Sequence, residues 1–285
     1  MRPVLLSFAL LLTAYLGVIG PFTNYMAEKP MVEKLGYPPQ PTVLRAISAD
    51  QGPTAAAWLV MKVLFYYGDL VEAAQQEVYL SPDYVAIHRN LETAVQLDPY
   101  NMDAYYFAQA ILVWDAGRAD AVNEMLEHGM AYRTWDWYLP FFAGFNSAYF
   151  LKDYEKAAEY YKRAAELSGA PLFSQLAGRY LQEVGKTDLA IAYLTMLEKS
   201  ARNEAVKNSF QIRIRAFREV KRIEVARDRY RKEKGVLPES VGILHQQGFL
   251  DTLPSDPYGG TFYLDGQGQV RSTSKFAFGS DKQKQ

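Results

Sequence analysis

The 285-residue sequence predicts a mainly α-helical fold in which antiparallel helix pairs stack on one another. Three observations carry that expectation. Tyr154, Ala157, Tyr161, Ala164 and Leu167 lie three or four residues apart on one helical face, and Thr187, Ala190, Leu194, Leu197 and Ser200 repeat the spacing. An uncharged apolar run opens the chain at residues 4–19 and continues through Phe22. After Gly235, turn residues and short alternating segments replace the helical periodicity.

Composition narrows the function classes. A formal charge of −1 removes any global electrostatic argument for nucleic acid. With no cysteine there is no disulfide framework, thiolate metal site or Cys-attached haem. The histidines, His88, His128 and His245, are scattered without metal-ligand spacing. The many Tyr and Phe rings read as wedges between helices.

In chain order, Arg2 and Pro3 precede the apolar run, which is long enough to cross a bilayer, a task needing about 20 residues. Its exit holds bulky residues and no small-x-small cleavage site. Residues 1–25 are therefore expected to remain as a signal anchor; a cleavable signal peptide and a buried helix are the alternatives. Arg2 favours a cytoplasmic N-terminus. The expected placement is a single-pass inner-membrane protein with its bulk in the periplasm.

Residues 26–53 contain Gly36, Pro30, Pro38, Pro39 and Pro41. They read as an extended, semi-rigid linker holding the folded part clear of the headgroups. Residues 54–67 are apolar nearly all round and read as a helix ended by Gly68. It is too short for a second span and is expected to be buried at the start of the helical array.

Ser81-Pro82-Asp83 opens the next helix, with Pro82 in its first turn, and Asp98-Pro99 stops it. Residues 104–114 pair with 119–132 around Gly117, 139–150 with 154–167, and 172–184 with 189–200. In the last pair Gly178 is expected to face Ala190, two small residues that admit a close crossing. Ile87 and Val122 stand where later units have Ala157 and Ala190, so three to four repeats are expected, degenerate toward the start.

A period of about 34 residues with this pattern resembles the tetratricopeptide repeat (TPR). The resemblance implies a TPR-like right-handed helical solenoid over residues 54–203. It also implies a concave groove, lined by the first helix of each pair, that holds a protein or peptide partner. In this sequence the groove face is expected to present Trp114 and Asp115, then Asn146 and Tyr149, then Gln175, Arg179 and Gln182. The mixture suits a peptide met by amides, one guanidinium and rings. The paired lysines of carboxylate-clamp TPRs are missing, so capture of a chain terminus is not expected.

Residues 204–234 read as one long basic helix. Phe210, Ile214, Phe217, Ile223 and Val225 supply its apolar side. Arg213, Arg215, Arg218, Lys221, Arg222, Arg227, Arg229, Arg231 and Lys232 supply its charge. Interleaved acids, such as Glu219 three residues before Arg222, make it a solvated capping helix. Binding to anionic lipid or an acidic partner is the alternative.

Residues 235–285 read as a small α+β module with a disordered tail. Leu237-Pro238 opens a short helix, and Leu253-Pro254-Ser255-Asp256-Pro257-Tyr258-Gly259-Gly260 leads to a hairpin about Asp265-Gly266. Over residues 218–274 this order resembles the globular part of type II secretion major pseudopilins. The chain departs from that family: its apolar segment lacks the family's Glu, stands far from the module, and the calcium loop is unmatched. Asp256 and Asp265 read as turn residues rather than cation ligands.

No nucleophile motif, phosphate-cradling loop or metal cluster stands out. The expectation is a non-enzymatic, membrane-anchored scaffold of the bacterial cell envelope, using no cofactor, with a protein or peptide partner. The alternative is a structural or assembly component of a secretion or type IV pilus-like machine. Nothing in the sequence specifies an oligomeric state.

Overall fold

Arg2–Glu28 forms α1, and the apolar window within it is wholly unburied. The computed structural model describes residues 2–30 and 33–277 of the chain. The expected disordered tail falls on residues 278–285, outside the described residues. The fold is mainly α-helical with one two-stranded sheet among the described residues. The chain divides into two units, Met1–Arg133 and Thr134–Gln285, so the division falls inside the stretch expected to be one array.

In the first unit α1 is followed by α2 (Pro41–Ser48), α3 (Gly52–Gln75), α4 (Tyr84–Leu97), α5 (Met102–Phe107) and α6 (Ala119–Tyr132). A π-helical turn, Ala108–Val113, extends α5. The segment expected to be a free spacer contains α2, which starts on Pro41. It is also tied down: Leu35 is buried, Asn90 Nδ2 donates to the Gly36 carbonyl at 2.9 Å, and the Arg89 guanidinium lies 4.8 Å from the Tyr37 ring.

Further along, α3 overturns a second expectation. It runs through Gly68 to Gln75, because one interior glycine costs a helix only about 1 kcal/mol. Its buried residues occupy one side alone, and Trp58, Met61, Leu64, Phe65 and Val71 remain exposed. The start of α4 is set by Asp83, whose carboxylate accepts from Ala86 N at 2.9 Å. Pro82 therefore sits outside the helix rather than in its first turn. Asp98 ends α4 as the Asp-Pro pair requires.

The second unit holds α7 (Tyr138–Asn146), α8 (Tyr154–Ser168), α9 (Pro171–Glu183), α10 (Thr187–Ser200), α11 (Glu204–Lys234) and α12 (Val241–Gln246). Strands β1 (Phe262–Leu264) and β2 (Val270–Ser272) follow. Another π-helical turn, Ser147–Leu151, extends α7. Short links reverse the chain: Gly169 takes a left-handed φ of 67° after α8, and Pro171 starts α9. Trp137, Phe141 and Phe173 interlock beside Tyr161 under α7–α9, while Trp135 is exposed.

The helix pairs share one packing device. A Cβ on Gly178 would meet Leu194 at 3.0 Å, and one on Gly144 would meet the Tyr161 ring at 3.2 Å. Leu194 and Tyr161 each stand one turn beyond the small residue, Ala190 or Ala157, that shares their buried face. The residue opposite Gly178 is therefore Leu194 rather than Ala190. The glycine makes a socket for a large side chain, not a crossing of two small residues.

Helix α11 is not a solvated cap. Phe210, Ile214, Phe217, Val220 and Ile223 are buried in a cluster that also takes in Leu181 and Leu194 from the helix pair and Leu244, Phe262 and Val270 from the C-terminal module. Val225, expected on the apolar side, is exposed. The long helix is the shared wall between the helix pairs and that module. Its ends follow the sequence signals: Asn203 accepts from Ala205 N at 2.9 Å, and Gly235 closes it with a φ of 77°.

The strands pair antiparallel with Phe262 opposite Ser272 and Leu264 opposite Val270. Asp265 accepts from Gln267 N and Gln269 N, and the left-handed residue of the turn is Gly268, not Gly266. Asp256 closes the preceding loop: its carboxylate accepts from Tyr258 N at 2.9 Å, from Ser274 Oγ at 2.6 Å and from Ser272 Oγ.

Two substitutions test this packing. Gly178→Val should lower stability by about 1–3 kcal/mol through overpacking, read as a lower melting temperature, and Leu194→Ala added to it should restore part of the loss. Failure of that compensation would remove Leu194 as the neighbour. A methyl on Gly260 would lie 2.6 Å from Ser274 N and 2.7 Å from Asp256 Oδ2. Gly260→Ala should therefore also cost about 1–3 kcal/mol, whereas Gly266→Ala, with open space around it, should melt like the parent.

Candidate functional site

Helix α9 carries Gln175, Arg179 and Gln182 at spacings of four and three, so they share one face. That face looks largely onto the chain itself. Gln175 Nε2 donates to Ser209 Oγ of α11 at 3.0 Å. Gln182 is buried, and its Nε2 donates to the β2 carbonyl of Val270 at 3.3 Å. Beside it Arg271 pairs with Glu183 and, at 3.1 Å, with Asp265, pinning the hairpin to the end of α9. The groove face expected at Gln182 is thus covered by the chain's own C-terminal module.

Part of the face stays open. A cleft of about 500 Å³ lies between α9, the first turns of α11 and the turn at residues 275–277. Leu172, Leu176 and Ile212 give it apolar walls, and Gln175, Asn208 and Ser209 give it amide and hydroxyl groups. Arg179, Arg213 and Lys275 line it, and among the described residues no carboxylate does. The Arg179 guanidinium lies 5.7 Å from the Tyr180 ring, with Nε 3.9 Å from Glu183. Among the described residues that Nε has no hydrogen-bond acceptor.

Arg213 builds the cleft rather than lining it passively. Buried on α11, it donates from Nη2 to the Phe276 carbonyl at 2.6 Å, from Nε to Tyr258 Oη at 3.2 Å and from Nη1 to the Gln175 carbonyl at 3.4 Å. One guanidinium thereby joins α9, α11 and the C-terminal turn. Its signal in the sequence is a cation one residue from Ile214 and three from Phe210, inside an apolar stripe. Beneath α9, burial raises the hydroxyl pKa of Tyr161, Tyr180 and Tyr193, so these rings stay neutral at ordinary pH.

The other expected groove residues do not join this cleft. Asn146 is fully buried, not exposed. In a regular α-helix it would share a face with Tyr149, but the π-helical turn from Ser147 lengthens the repeat and separates them. Tyr149 is exposed, stacked on Phe145 at 5.5 Å, with the Lys152 ammonium 5.2 Å from its ring. Trp114 and Asp115 are exposed on the first unit, where Asp115 accepts a hydrogen bond from Tyr67 Oη.

A second surface, more basic, runs along α11. Two adjoining depressions of about 420 and 510 Å³ share Arg218 and Arg222. Arg222 is held by Glu219 at 2.7 Å and by Thr252, and Lys221 by Asp188 at 2.6 Å, a bond that raises the Lys221 pKa. Arg215, Arg218 and Arg229 are exposed and make no hydrogen bond or ion pair among the described residues.

Comparison of the chain with protein-family models and with curated proteins finds no match.

The role of Arg213 is checked by Arg213→Met, which keeps the aliphatic stem and removes every donor. Hydrogen bonds from a charged group contribute about 1.5–3 kcal/mol. The variant should melt lower, and amides of residues 274–277 should exchange hydrogen faster, with α7 and α8 unchanged.

Proposed function

We propose that the chain is a non-enzymatic, membrane-anchored TPR-like scaffold of the bacterial cell envelope that holds a protein partner through the cleft between α9 and α11. The observation that carries this reading is the repeated pair α7–α8 and α9–α10, each built on a glycine socket, with a first helix whose cationic and amide face opens into a cleft. Leu172 and Leu176 offer apolar anchorage, and Arg179 and Lys275, with no lining carboxylate among the described residues, favour acidic side chains on the bound segment. A peptide that fills such a cleft gains both contacts without any chemical step.

Helix α1 supports the proposed placement. Its exposed, uncharged length suits a retained anchor, and Arg2 at the short end favours a periplasmic location for the remainder. The C-terminal module supports a narrower version, in which the scaffold serves a secretion or pilus-like machine. Its Leu-Pro-x-Asp-Pro-aromatic-Gly loop carries that resemblance.

The test places a photo-crosslinking residue at Leu172 in the full-length protein in native membranes. A crosslinked partner is expected, and Arg179→Ala with Lys275→Ala should reduce its yield about tenfold or more, since each charged hydrogen bond contributes about 1.5–3 kcal/mol. Unchanged yield in that double variant would move the binding site to the Arg218–Arg229 surface.

A further inference from the structure

Helix α3 carries apolar residues on two opposite sides and is covered on one. Leu59, Val60, Val63, Tyr66 and Leu70 are buried, whereas Trp58, Met61, Leu64, Phe65 and Val71 stand exposed, Trp58 at 63% and Phe65 at 59%. At 3.6 residues per turn the exposed five form one continuous face, joined by Ala57 and Gly68. No charged residue falls on it between Thr54 and Val71; Lys62 and Asp69 mark its border, and exposed Glu72, seven residues after Phe65, closes its C-terminal end. Neighbouring α2, packed on α3 and α4, exposes Val43 and Ile47 one turn apart.

The chain also fixes how far this face can stand from a bilayer. Gly36 is held by Asn90 and Leu35 is buried, so the chain joins the packed unit soon after α1 ends at Glu28. Even fully extended, the intervening residues span no more than roughly 30 Å. The first unit is therefore kept beside the point where α1 leaves the membrane, not held away on a spacer. A span by α3 itself does not fit. Its opposite face is packed on α4, which carries His88, Arg89 and Glu92, and charges of that kind are costly in hydrocarbon.

We propose that α3, with α2 beside it, lies in the plane of the membrane interface. Its Trp58–Phe65 face is immersed at the acyl boundary, so the first unit rests on lipid next to its anchor. Interfacial helices bury an apolar face by about 5–10 Å in this way, and tryptophan favours that depth. The occupant of the face is lipid, because a bilayer is the one apolar phase that α1 already brings within reach. This inference rests on α1 being a retained anchor.

The absence of cysteine allows a clean test. Single substitutions Leu11→Cys, Met61→Cys, Phe65→Cys and Glu124→Cys are labelled with a small fluorophore in the full chain, reconstituted in phosphatidylcholine–phosphatidylglycerol vesicles. Circular dichroism checks that each variant is folded. Labels at Met61 and Phe65 should lose emission to nitroxide-bearing lipid and resist iodide, as the α1 label at Leu11 does, while the Glu124 label should respond to iodide alone. Iodide quenching at Met61 and Phe65 with lipid quenching at Leu11 would overturn the proposal and leave the anchor standing. Shielding from both quenchers, with an added oxidant forming a disulfide between unlabelled Phe65→Cys chains, would assign the face to a second copy and equally overturn it. Iodide quenching at Leu11 would defeat the anchor reading and the proposal together.

Discussion

The second unit depends on the two-sided burial of α11. Phe217, Val220 and Ile223 are fully buried, and burying one such side chain is favourable by about 1.5–3 kcal/mol. A 31-residue helix with that much apolar surface is stable only if both flanks are covered. One flank receives α9 and α10 and the other receives α12 and the hairpin. Arg213 sits in this wall at a desolvation cost that its three hydrogen bonds offset, and those bonds hold the C-terminal turn at the rim of the cleft. The cleft exists because the helix pairs and the module are fastened to one helix without closing completely on each other.

Local chemistry made many helix ends legible. Gly235 bounds α11 and Asp98-Pro99 ends α4. These are interactions over a few residues, so the sequence displays both partners. The misread positions involve competition between local preference and packing. Gly68 reads as a stop, but burial of Leu70 on the next turn holds α3 together beyond it. The prolines before α2 read as an extended spacer, but Leu35 and Asn90 draw that segment onto α4.

Less of the candidate site was legible. The shared face of Gln175, Arg179 and Gln182 follows from helical spacing, and two of the three line the cleft. What covers Gln182 does not follow, because its partner Val270 lies 88 residues away. Asn146 was misplaced for a different reason. A π-helical turn changes the angular step along the helix, and the residues 147–151 carry no proline or glycine to announce it. Arg213 reads in the sequence as one cation among solvated neighbours, since charge alone does not tell which arginine a turn 63 residues later will claim.

The loop of Leu253 to Gly260 shows how a family-like motif can be explained by its own fold. Asp256 uses its carboxylate on Tyr258 N, Ser272 and Ser274, and Gly260 lies where any side chain would strike those same groups. Arg227 donates to the Gly268 carbonyl at 2.8 Å and Leu237 packs against that glycine, closing the hairpin onto the base of α11. Asp256 and Gly260 are therefore spent inside the module, and Tyr258 on Arg213 of α11. Polymerisation through an N-terminal apolar helix is a separate property, and α1 here lies in a different unit from the loop. These contacts account for how the loop folds, and the function has to be sought on the surfaces that α9, α11 and α3 leave uncovered.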